Sequence, residues 1–100
     1  MTASQPRMII DLLVVELRLP GCESLKEKRQ RISGLRERFG KQANVSVCET
    51  AYQDNHKLAQ WSFVAVSLDR NINQRALAKI EQYLGCEIDA VVTAIHREQL

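Results

Sequence analysis

The sequence predicts an α+β domain in the order strand–helix–strand–strand–helix–strand. Three observations carry this. Apolar residues cluster in four short runs rich in Val, Ile and Leu. Two intervening segments repeat their apolar residues at helical spacing. Each of those segments is bracketed by residues that start and stop helices.

Met8 to Leu19 reads as the first strand, and Pro20-Gly21 ends it. Ser24-Leu25-Lys26-Glu27 then forms a capping box, the serine hydroxyl covering the Glu27 N–H. Leu25, Ile32, Leu35 and Phe39 recur on one helical face, and Gly40 sits at the expected stop. Val45 to Tyr52 is the second strand, Gln53 to Lys57 a polar connection, and Leu58 to Leu68 the third strand. Asn71 is placed to cap a second helix with Ile72, Ala76, Ile80, Tyr83 and Leu84 inward and Gly85 as its stop. Ile88 to Ile95 is the fourth strand. Two βαβ halves joined by a hairpin give the ferredoxin-like arrangement βαββαβ: a four-stranded antiparallel sheet, strands one and three central, both helices on one face. Residues 1–7 read as a disordered N-terminal tail, and 8–100 as a single domain.

One hundred residues with 45% hydrophobic and 26% charged content suffice for one core and exclude a disordered or fibrous chain. The apolar run at Met8–Val15 is followed at once by Glu16 and Arg18, so no membrane span is expected. Cys22, Cys48 and Cys86 are odd in number and widely spaced, which fits reduced thiols in the cytoplasm. No Gly-rich phosphate loop, metal-ligand spacing or catalytic constellation stands out, so neither a cofactor nor a metal nor an enzyme is expected.

Charge is uneven. Residues 24–41 hold seven basic and two acidic side chains, a net of +5, which leaves −3 for the rest of a chain whose total is +2. Lys26, Lys28 and Arg29 crowd the first turns of helix one, where the helix dipole disfavours cations. Lys28 also falls inside the apolar stripe, so it needs an anion or carbonyls. The topology brings Ser24, Lys26, Lys28, Arg29, Glu49, Asp54 and His56 to one end of the sheet. Two readings stand: an ion-pair cluster that pins helix one to strand two, or an anion or partner site. Arg31, Arg36 and Arg38 are the candidate nucleic-acid contacts along the basic stripe. Trp61 and Phe63 alternate on strand three, as stacking aromatics do in RNA-recognition motifs, but Gln60 stands where those carry glycine and strand one lacks the partner aromatic. Both faces of the central strands are apolar, so a homodimer through the open sheet face is expected, with Trp61 and Phe63 on that face.

ELRLPGCESLKEKR, residues 16–29, with NVSVCE at 44–49, Asp54 and FVAVSLDR at 63–70, resembles the YlxP-like family over about residues 8–97. Ser24 to Arg29 is the most specific element. His56 stands where many members carry Trp, and Leu68 where Asn is usual. The resemblance implies a ferredoxin-like fold and a bacterial cytoplasmic protein of unknown function. Members are often encoded beside transcription and translation factors, which implies ribosome maturation or RNA binding. The leading expectation is therefore a non-enzymatic module that binds RNA or the ribosome. The alternative is a homodimeric regulatory or scaffold domain with a small anionic ligand at the start of helix one.

Overall fold

The computed structural model describes residues 7–100. Most of the predicted N-terminal tail lies outside these residues. The elements are β1 (Ile9–Arg18), α1 (Leu25–Phe39), β2 (Val45–Ala51), β3 (Leu58–Ser67), α2 (Arg70–Cys86) and β4 (Val91–Gln99). The four strands form one antiparallel sheet in the order β2-β3-β1-β4, so the ferredoxin-like architecture holds.

Strand alternation decides the core. Leu13, Val15 and Leu17 of β1 lie across from Phe63, Trp61 and Ala59 of β3, and all six are buried beneath the helices. Ile32, Leu35 and Phe39 of α1 and Leu77, Ile80 and Leu84 of α2 close that layer. The placement of Trp61 and Phe63 on a dimer face is thus corrected: both point into the core. The outer face of the sheet carries Leu12, Val14 and Val64, half-buried, and the exposed Val66. β3 is apolar on both sides, so alternation alone could not say which set meets the helices.

Helix boundaries follow local chemistry. The Ser24 hydroxyl accepts from the Glu27 N–H at 3.0 Å, and the Glu27 carboxylate reaches back to the Glu23 N–H at 3.4 Å. For α2 the cap is Asp69 rather than Asn71, its carboxylate accepting from the Asn71 N–H at 2.8 Å. Gly85 does not stop α2, which ends one residue later with Glu87 as its cap. The inward stripe of α2 is Asn73, Leu77, Ile80 and Leu84, leaving Ile72 exposed. Asn73 can be buried because it donates to Asp11 Oδ2 at 2.9 Å and to the Ile9 carbonyl at 2.9 Å, and accepts from the Ser67 hydroxyl at 2.7 Å.

Candidate functional site

Lys28 organises the end of the sheet where α1 begins. It is buried on the inward stripe, and an ammonium there must be compensated. Its Nζ donates to the carbonyls of Tyr52, Asn55 and Leu58, each at 2.8 Å, and lies 2.9 Å from Glu49 Oε2. The Tyr52 and Asn55 carbonyls come from the β2–β3 turn and the Leu58 carbonyl from the first residue of β3. Two local features aim them. Tyr52 has φ of 65°, an uncommon value for a side-chain-bearing residue. Asn55 Oδ1 accepts from the N–H groups of Lys57 and Leu58, an Asx-type turn. Lys28 thus ties the hairpin turn to α1.

Next to this knot a cleft of ≈ 310 Å³ opens between α1 and β2. One wall is the α1 stripe Leu25, Lys28, Arg29, Ile32, Ser33, Arg36. The other is Glu49, Gln53 and Trp61. A β-bulge after Glu49 bends β2 at this point. The Arg36 guanidinium sits 5.5 Å from the centroid of the Trp61 ring, a cation–π contact. Among the described residues neither Arg29 nor Arg36 forms an ion pair. With Lys28 matched by Glu49, the cleft retains two arginines against Glu37, a net of +1.

The structure sorts the residues predicted from sequence. Ser24 is the helix cap. Lys28, Arg29 and Glu49 meet at the cleft. Lys26 and Asp54 are exposed and His56 is half-buried, and none of the three lines it. Of the two carboxylates expected at this end of the sheet, Glu49 rather than Asp54 is the partner of Lys28. The three candidate nucleic-acid contacts separate. Arg31 is spent on the carbonyls of Pro20 and Asp89 and on the carboxylates of Glu27 and Asp89. Arg38 pairs with Glu87 at 3.5 Å and stacks on Tyr83. Arg36 alone faces the cleft. Trp61, Ile32 and Gln53 were not foreseen as cleft residues. The signal available for Trp61 was its cross-strand position opposite Glu49.

Among the described residues no group of three or more His, Cys, Asp or Glu is placed to hold a metal ion, and no helix is long and apolar enough to cross a membrane.

The profile of the family described as "Protein of unknown function (DUF503)" matches residues 10–97. A comparison with curated proteins returned no match. Among solved structures, SnoaB, a cofactor-independent oxygenase from Streptomyces nogalater, is similar in fold. It has 15% sequence identity and a TM-score of 0.50, with 91% of this chain and 90% of that chain covered. The expectation of a non-enzyme is corrected by this likeness. A fold of this shape carries an oxygenase, and a reaction without a cofactor leaves no cofactor motif in a sequence.

Proposed function

The chain belongs to the DUF503 family, whose function is unknown, and we propose that it is a binding domain for a small organic anion held in the cleft between α1 and β2. The observation that carries this reading is the pair Arg29 and Arg36, which border a partly apolar cleft without a carboxylate partner. Arginine forks match carboxylate and phosphate groups, and apolar walls hold a ligand body. The reading moves the expected anion site from the helix start to the first three turns of α1.

The YlxP-like resemblance supports the same region, since its hexapeptide Ser24–Arg29 supplies Lys28 and Arg29. RNA contact through Arg31 loses support, because its guanidinium is committed within the protein, whereas Arg38 stays exposed beside Glu87. A homodimer through the outer sheet face remains part of the proposal, now resting on Leu12, Val14, Val64 and Val66. A reduced, cytoplasmic setting is supported by the three free cysteines, Cys22, Cys48 and Cys86.

Calorimetric titration with ribose 5-phosphate tests the reading. We expect saturable binding that weakens with salt and is lost in the Arg29→Met, Arg36→Met double variant. No binding, or equal binding by the folded double variant, refutes it.

A further inference from the structure

Among the described residues β2 is an edge of the sheet, so one side of its backbone is open. The register says which groups lie on that side. The Val66 N–H donates to the Asn44 carbonyl at 3.0 Å, and Ser46 and Cys48 follow in two-residue steps opposite Val64 and Ser62. In an antiparallel ladder these alternate residues turn their N–H and C=O groups to the partner strand, and the residues between turn theirs away. The backbone groups of Val45, Val47 and Glu49 therefore face outward. The ends of this row are covered. The Val45 N–H donates to the Gln42 carbonyl at 3.2 Å, and the Glu49 carbonyl accepts from Gln53 Nε2 at 3.3 Å. Between those covers the Val45 carbonyl, both groups of Val47 and the Glu49 N–H are open to an incoming strand.

Proteins blunt open edges with lysine, proline or free charge. β2, VSVCETA, has no lysine and no proline, and its one charge, Glu49, is held by Lys28. The other edge, β4, ends with His96, Arg97 and Glu98.

Val45, Val47 and Glu49 lie opposite Ala65, Phe63 and Trp61, so their side chains point to the helix layer. A strand added beside them sends its own alternate side chains to the same layer, where the α1–β2 cleft runs. Arg29 and Arg36 on the far wall are both exposed. They stand seven residues apart on α1, about 10 Å along its axis. Ile32 and Trp61 form the apolar lining beside them. Residues i and i+4 of a strand lie about 13 Å apart, a difference that arginine side chains span. Carboxylates at i and i+4 with an apolar side chain at i+2 match the two arginines and the lining. We propose that the β2 edge takes an added strand, an extended acidic peptide whose backbone pairs with β2 and whose carboxylates sit on Arg29 and Arg36. This rests on the anion reading of the cleft and names the carrier of the anion.

The probe is the capped heptapeptide Thr-Glu-Thr-Leu-Thr-Glu-Thr, titrated into nitrogen-labelled protein by calorimetry and NMR. On binding, the Val47 and Glu49 amides should exchange with solvent about tenfold more slowly, as their N–H groups gain acceptors. The leucine N–H faces β2, so N-methylation there should weaken binding about tenfold, and N-methylation of the next threonine should not. Glutamine in place of both glutamates should also weaken binding about tenfold, and the Arg29→Met, Arg36→Met double variant should erase that preference. If ribose 5-phosphate binds and the peptide does not, the strand inference falls and the anion reading stands. Peptide binding that ignores leucine N-methylation and leaves the Val47 and Glu49 amides unprotected has the same consequence. Equal binding of the glutamine peptide overturns the acidic partner. No binding by either probe overturns both readings.

Discussion

Replacing Lys28 by Met keeps the aliphatic stem in the α1 stripe and removes the ammonium. Three carbonyls lose a donor, and Glu49 loses its counter-ion. The carbonyls are not equal. Tyr52 and Asn55 lie in exposed turn positions where water can replace the lost bond, whereas Leu58 is half-buried at the start of β3. Leaving a buried acceptor unsatisfied costs about 1–3 kcal/mol. Breaking a buried ion pair from one side costs about 3–5 kcal/mol when both groups are sequestered. The Glu49 side chain is 20% exposed, which lowers that figure. A loss of about 3–4 kcal/mol follows, a large share of the roughly 5–15 kcal/mol of a typical domain. Glu49→Gln should behave differently. The ammonium keeps all three carbonyls, so the loss should be about 1 kcal/mol or less. Urea unfolding followed by circular dichroism measures both. A Lys28→Met variant within about 1 kcal/mol of the parent refutes the carbonyl-cage argument. So does a Glu49→Gln loss equal to that of Lys28→Met.

Asn73→Ala should cost about 2–4 kcal/mol in the same assay, because it strands the buried Asp11 carboxylate and leaves a small cavity. Ser24→Ala removes the cap of α1 and should cost about 1 kcal/mol, read as a shift of the urea midpoint at unchanged slope. Val64→Glu on the outer sheet face should convert a dimer to a monomer in sedimentation at unchanged secondary structure. A parent protein that already sediments as a monomer of 11.4 kDa refutes the dimer. Trp61→Glu, by contrast, should prevent folding rather than dissociate subunits, since it places a charge in the core.

The order of elements was legible because each carried a local signal: alternation in the strands, the capping box at Ser24, the apolar period in α1. The stripe of α2 was misread because Asn73 looks like a surface residue. Its burial depends on Asp11, 62 positions away, and no local pattern reports such a bond. Lys28 was legible as an anomaly, a charge inside an apolar stripe. Its principal partners were not, because backbone carbonyls carry no residue identity. Arg31 looked free for the same reason: it is spent on the carbonyls of Pro20 and Asp89. Trp61 was assigned to the outer face because β3 is apolar on both sides. Register with Val15, and hence the inward face, emerges only once β1 and β3 are paired.

The central claim, that the α1–β2 cleft holds a small organic anion beside Trp61, has a direct spectroscopic reporter. The chain contains one tryptophan, so the nitrogen-labelled protein gives a single indole N–H resonance in its proton–nitrogen correlation spectrum. Titration with ribose 5-phosphate should shift that resonance in a saturable manner, because Trp61 lines the cleft, together with the backbone amides of Arg29 and Arg36. Indole and Arg29 and Arg36 amide resonances that stay in place while amides elsewhere respond would contradict the account.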